Sequence, residues 1–289
     1  NMPYNYKIGL IGLPQSGKTT FLIGLHHFLR IEEFNGYAYT MSGVDKTSRD
    51  WLETLYTSLS SGILPEGTQI KSGLKFRINQ IGAPMGVLLP AKNEFYIETT
   101  DRQGRDFESK PEQEIDETLI DYLLSCGSYL LLFDLTQDFG TQINCLENVF
   151  HNLRDKDKVG LSGKRISVCL TKADHPEVIE KLIKEFNCQK PINLKKIKGR
   201  VFLQSYNKNL IFGFIKQLID FFGHDNIAFF LISSIGFFDD TENKTNLVKM
   251  EDGKLMLRNG IDFRPVNLDS PLSWAVGRMT KAELNNEQI

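Results

Sequence analysis

Eight residues, Gly12-Leu13-Pro14-Gln15-Ser16-Gly17-Lys18-Thr19, constrain this chain more than any other stretch. They fit the pattern G-x-x-x-x-G-K-[ST], and their neighbours supply the setting that pattern needs. Ahead of them, 6–11 (Tyr-Lys-Ile-Gly-Leu-Ile) is short, mostly apolar and closed by glycine, which predicts a strand buried on both faces. Behind them, Phe21, Leu22, Leu25, Phe28 and Leu29 recur at helical spacing. Backbone N–H groups of residues 14–19 would then face one point at the positive end of a helix, a natural seat for phosphate. Lys18 would reach β and γ phosphates, and the Thr19 hydroxyl would hold Mg²⁺. The phosphate-binding set is Gly12, Pro14, Gln15, Ser16, Gly17, Lys18, Thr19 and Thr20. The bland alternative is a glycine turn that opens an ordinary helix.

The rest of the chain alternates between apolar runs and amphipathic stretches. Strands are predicted at 74–81, 94–99, 128–135, 165–171 and 227–233, and helices at 51–59, 112–125, 142–154, 176–186 and 210–222. This alternation predicts an α/β fold with a mostly parallel sheet flanked by helices. Residues 30–73 are rich in Gly, Ser, Thr and Tyr and read as a long moving segment around one short helix. Two alternating runs about Asp252-Gly253 predict a β-hairpin inserted within 239–266. Ser270-Pro271 reads as N-cap and first-turn proline of a final helix reaching Lys281. One domain over 3–282 and a tail at 283–289 follow.

Charge excludes some partners. With 34 Lys and Arg against 36 Asp and Glu, the net charge of −2 provides no general field for nucleic acid or an anionic membrane. The basic run Lys190, Lys195, Lys196, Lys198 and Arg200 lacks interleaved aromatics and reads as a solvated loop. The most apolar region, 209–238, is broken by Lys216, Asp220, His224 and Asp225, so no membrane span is expected. No basic segment followed by an apolar one marks a secretory signal. Cys126, Cys145, Cys169 and Cys188 show no C-x-x-C spacing, which suits reduced thiols in a cytoplasmic protein. His26, His27 and His175 have no metal-ligand spacing. Phe212, Phe214, Phe221 and Phe222 read as core or interface residues.

Three further loops fall at predicted strand ends. Asp101-x-x-Gly104 has the spacing at which an aspartate orders Mg²⁺ through water and a glycine N–H meets a γ phosphate; alone it also reads as an acidic turn. Thr171-Lys172-Ala173-Asp174 ends a buried strand. An ionised Asp174 can accept from both N1–H and the exocyclic amine of guanine, a pair that adenine cannot present, while Lys172 lays its stem over the base. The competing reading has Asp174 and Pro176 capping the next helix. Ser233-Ser234-Ile235-Gly236 is the last loop in the series.

In that order and spacing, the four motifs resemble those of the translation-factor and Ras-related class of P-loop GTPases, over about residues 6–236. Segments 64–68 and 268–274 are similar to bacterial GTPases of the double-GTPase kind, found in multi-protein signalling or defence systems. The resemblance implies a three-layer, Ras-like G domain with GTP or GDP as ligand, Mg²⁺ as cofactor, and guanine read by Thr171, Lys172, Asp174, Ser233, Ser234 and Ile235. It implies a protein effector and a GTPase-activating partner. It also implies a γ-phosphate-sensing threonine that ligates Mg²⁺, for which Thr68 is chosen and Thr40 and Thr47 stay open. Where the family often has glutamine after Gly104, this chain has Arg105, with Gln103 before the glycine. Three accounts stay open: Arg105 offsets transition-state charge, Gln103 positions water, or a partner supplies the machinery. Slow hydrolysis is the expectation. Two other readings remain: a nucleotide-binding scaffold with little turnover, and an ATP-dependent kinase or ATPase in which 171–174 is coincidental.

Overall fold

Apolar runs without polar alternation belong in strands covered on both faces, and those of this chain lie side by side in one sheet. The computed structural model describes residues 6–33, 37–64, 73–81, 94–99, 117–156, 161–249, 255–258 and 263–287. Its central sheet contains β1 (Tyr6–Gly12), β2 (Tyr39–Gly43), β3 (Leu74–Gln80), β4 (Glu94–Thr99), β5 (Ser128–Asp134), β6 (Arg165–Thr171) and β7 (Ile227–Leu231). The strand order is β2-β3-β4-β1-β5-β6-β7. From β4 to β7 all neighbours are parallel, whereas β2 and β3 join that block antiparallel. Since β1 lies between β4 and β5, the loop after Gly12 opens where the strand order reverses, the position at which ligands bind in open α/β sheets.

Alternation along β5 separates two cores. Tyr129, Leu131 and Phe133 pack with residues of α3 (Glu117–Ser125), α4 (Phe139–Lys156), α5 (Pro176–Phe186), α6 (Gly199–Gln204) and α7 (Lys208–Phe222). Leu130 and Leu132 pack with α1 (Lys18–Ile31), with Leu52 of α2 (Lys46–Ser60), with α8 (Asp269–Ala275) and with Leu284 of α9 (Lys281–Glu287). The molecule is therefore a three-layer α/β fold of the P-loop type, as expected. Phe214, Phe221 and Phe222 are buried, while Phe212 is exposed. Among the described residues, no helix is long and apolar enough to cross a membrane.

A third apolar cluster brings separate insertions together. Ile23 of α1, Leu59 of α2, Ile235 and Phe263 pack with Leu257 of β11 (Leu255–Leu257), which pairs antiparallel with β10 (Leu247–Lys249). The end of α2 is joined to this hairpin by backbone, since Leu257 N donates to Gly62 O at 2.8 Å. The hairpin lies where the sequence predicts it, with 250–254 outside the described residues. A second ribbon, β8 (Phe237–Asp239) with β9 (Lys244–Thr245), is not anticipated by the sequence.

Several expectations change. Segment 30–73 contains an edge strand and a full helix. β2 escapes a periodicity reading because it is only five residues long and only half of it is buried. Helix α2 begins at Lys46, capped by Asp45, whose carboxylate accepts from Ser48 N at 2.8 Å; its first turn is polar and carries no apolar signal. The final helix is two helices. Ser270 is buried inside α8 and caps nothing, and Gly277, at φ 74°, separates α8 from α9. Helix α9 also runs into the expected tail and buries Leu284. The basic run is partly used for tertiary ties, with Lys190 paired to Glu242 at 3.2 Å and Lys195 to Asp269 at 2.5 Å.

Candidate functional site

The loop between β1 and α1 has the backbone of an anion seat. Gln15 (φ 62°) and Gly17 (φ 89°) are both left-handed, the kind of turn that points successive amides at one centre. Gly17 is the N-cap of α1, and no side chain caps that helix. No acidic residue stands in the first turn to repel an anion. Pro14 has no N–H, so the donor run starts at Gln15; Pro14 contributes its carbonyl instead, accepting from Gln137 Nε2 at 3.3 Å. A Cβ on Gly12 would lie 2.5 Å from Ser16 Oγ, which explains the first glycine of the pattern.

Lys18 closes on its own loop, donating to Gly12 O at 2.5 Å and Leu13 O at 2.7 Å. Burial pushes its ammonium down to about 8. Among the described residues no carboxylate pairs with it, and a cation held at a helix N-terminus beside converging amides fits the charge of a polyphosphate. Thr19 and Thr20 follow in the first turn of α1.

The end of β6 is tied to this loop. Thr171 Oγ1 donates to Ser16 O at 3.1 Å and lies 3.4 Å from Phe133 O, so one hydroxyl links the end of β6 to both the phosphate loop and β5. Lys172 is left-handed (φ 59°), and its Nζ lies 2.5 Å from Asp134 Oδ2. Asp134 is completely buried. Its other oxygen accepts from Thr136 N and Oγ1, and the Gln142 amide brackets its backbone with two 2.8 Å hydrogen bonds. Asp134 thus holds the Lys172 stem in place. Sequence reasoning missed it, although an acid closing a fully apolar run was visible at Asp134.

Asp174 does not cap α5. That helix starts after His175, which makes no side-chain cap, with Pro176 as its first residue. The Asp174 carboxylate turns inward, accepting from Ser233 Oγ at 2.6 Å and Thr245 Oγ1 at 3.0 Å. Burial raises its pKa, and the two hydroxyl donors oppose that rise. Ser233 Oγ in turn accepts from Gly236 N at 2.8 Å. Ile235 packs into the third cluster, and Ser234 O lies against α1 at Gly24. Lys18, Thr171, Lys172, Asp174, Ser233, Ser234 and Ile235 are therefore brought to one end of the sheet. Thr68, Asp101, Gln103, Gly104 and Arg105 lie outside the described residues. Thr40 is in β2, and Thr47 is in the first turn of α2.

The histidines have packing roles. His26 Nδ1 meets Met41 O at 3.2 Å, with burial first and Arg30 second pushing its pKa down to about 4, and His27 Nδ1 meets Tyr56 Oη at 3.0 Å. Among the described residues, no group of His, Cys, Asp or Glu is placed to hold a metal on its own.

Gly24 gives a direct test of the contact between α1 and the Ser234 loop. A Cβ there would overlap Ser234 O more closely than real Cβ atoms approach carbonyls. Gly24→Ala should keep the fold, because alanine adds about 1 kcal/mol of helix propensity. It should also displace the 233–236 loop, and amide hydrogen exchange over those residues beside a thermal melt separates the two effects.

No protein-family model and no curated protein sequence matches the chain. Among solved structures, it is similar to the signal recognition particle receptor SRb-GTP/SRX complex from Chaetomium thermophilum, with 11% identity, TM-score 0.41, and coverage of 81% of this chain and 93% of that one. It is also similar to the GTPase-like domain of S. cerevisiae Ski7 bound to GDP and inorganic phosphate, at 14% identity and TM-score 0.41, covering 80% of this chain and 43% of that one. A third is sup35 complexed with GDP, at 11% identity and TM-score 0.33, covering 80% of this chain and 37% of that one. At these scores the likenesses carry no functional argument, and the fold stands on strand order and loop geometry.

Proposed function

We propose that this protein binds GTP, hydrolyses it slowly to GDP and uses the difference as a switch read by a protein partner. One observation carries the reading. The Thr171 hydroxyl ties the loop of Lys18 to the end of β6, three residues ahead of Asp174, so a phosphate seat and the carboxylate read as base-selecting lie at the same end of the sheet. Amides from Gln15 onward and the Lys18 ammonium would hold β and γ oxygens and neutralise charge as water attacks the γ phosphorus in line. Thr19 would hold Mg²⁺, together with Asp101 and Thr68, and the ion would supply positive charge beside the phosphates. Lys172, fixed by Asp134, would cover the base while Asp174 reads N1–H and the exocyclic amine.

The partner is inferred from the insertions. Residue 62, at the end of α2, and β11 are bonded to each other on the outside of α1, forming a surface that the nucleotide fold itself does not need. The free thiols Cys126, Cys145, Cys169 and Cys188 suit a reducing, cytoplasmic setting. A place in a bacterial double-GTPase system rests on 64–68 alone, since the buried packing of α8 accounts for 268–274. Measuring phosphate release from GTP and ATP, with and without Mg²⁺, tests the enzymatic claim. Slow, Mg²⁺-dependent release from GTP is expected. No release under any condition would leave only a binding scaffold, and preferential release from ATP would remove the guanine assignment.

A further inference from the structure

The carboxylate read as the guanine selector is closed in this structure. Asp174 is 3% exposed, and each of its oxygens already has a hydroxyl donor. Ser233 comes from the loop that sequence reasoning places beside it. Thr245 comes from β9, in a ribbon that the three-layer fold does not require. It is held on Asp174 Oδ2 from both sides, since Thr245 Oγ1 also accepts from Leu247 N at 3.2 Å. A guanine edge must bring N1–H to one carboxylate oxygen and its amine to the other. It therefore needs the access that β9 now closes.

A buried carboxylate with an unmet oxygen is unfavourable. Thr245 supplies the donor that a base edge would otherwise supply, so hydroxyl and base compete for the same carboxylate oxygen. The ribbon carrying Thr245 is also the most lightly paired element near the site. Its strands are three and two residues long, their register is irregular between Phe237 and Asp239, and Phe238 is exposed. Phe237, Asn243 and Asn246 are buried, so the part that can open is the two-residue strand Lys244–Thr245 between them. Its tip is tethered, because Asn243 Oδ1 accepts from Ile192 N at 2.7 Å, so opening is a swing about a fixed point.

We propose that Thr245 gates the base site: its hydroxyl holds Asp174 closed without nucleotide and releases it when a guanine edge seats. The proposal rests on the reading of Asp174 as the guanine contact. Binding then exchanges one hydrogen bond to the carboxylate for another, which slows entry and weakens net affinity. Beyond the gate, β9 continues through Asn246 into β10, whose partner β11 is bonded to Gly62. Base occupancy is thereby linked to the backbone just ahead of Thr68.

The test compares wild type, Thr245→Val and Thr245→Ser as full chains, using GDP with a fluorescent label on the ribose. Val keeps the shape and removes the hydroxyl, whereas Ser keeps the hydroxyl. About tenfold faster association and about tenfold tighter binding are expected for Val, and wild-type behaviour for Ser. If wild type binds GDP and the Val variant binds no faster or more weakly, the gate is wrong while the nucleotide reading stands. If wild type binds no GDP, the nucleotide reading fails and the gate with it. Should Val not fold, amide hydrogen exchange on wild type decides: GDP must speed exchange over 237–247, and unchanged or slower exchange there overturns the gate.

Discussion

Lys18→Ala is expected to lose about 100-fold in affinity for GTP, close to 2.8 kcal/mol at about 1.4 kcal/mol per tenfold. The ammonium of Lys18 is the cation of the phosphate loop, and a hydrogen bond to a charged partner contributes about 1.5–3 kcal/mol. That cation rests on Gly12 O and Leu13 O, which other donors can satisfy, so the melting temperature should change little. A drop in affinity with an unchanged melt separates loss of phosphate contact from loss of fold.

The same lysine gives a pH dependence. Burial sets its free-state pKa at about 8, and a bound polyphosphate raises it by favouring the charged form. Above pH 8 the free protein has lost the proton that the complex retains, so binding takes up a proton and affinity falls as pH rises. About a tenfold loss between pH 7 and pH 9 is expected for wild type. Lys18→Arg, whose guanidinium does not titrate in this range, should show a flat profile.

Trp274→Ala should destabilise the protein by about 3–5 kcal/mol, the range for truncating a large buried aromatic. Trp274 is 1% exposed and is the largest fully buried side chain, and α8 presses it onto the sheet face made by β5, β6 and β7. Its indole N–H donates to Asn226 O at 3.4 Å. The Arg165 guanidinium lies 4.9 Å from its ring centroid and donates to Trp274 O and Met279 O. Truncation leaves a cavity, removes that cation–π contact and strips Asn226 O of a donor. At about 2–4 °C per kcal/mol for a domain of this class, the melting temperature should fall by roughly 10 °C. A shift under about 2 °C would mean that α8 is peripheral to the core.

How much the sequence discloses depends on where the signal lies. The strands β1, β5, β6 and β7 are apolar because helices cover both faces, so their runs announce them and, with the loop after Gly12, give the fold. Thr171 and Asp174 are legible because a local motif at a strand end marks them. Contacts between distant segments leave no such mark. Asp134 meets Lys172 across 38 residues and Thr245 meets Asp174 across 71, so neither partner is visible until the chain folds. Edge strand β2 hides because five residues are too few for its alternation to stand out. At Ser270-Pro271 the local cap signal misleads, because packing of Ser270 and Pro271 into the core moves the helix start to Asp269.

The end of the sheet that carries Lys18 and Asp174 is expected to select guanine nucleotides. Titrating nucleotide-free protein with GDP and, separately, ADP tests it most directly. Binding of GDP at least about 100-fold tighter than ADP, reduced to near equality in Asp174→Ala, is the predicted result. Equal affinity for the two nucleotides in wild type, or tighter binding of ADP, would contradict it.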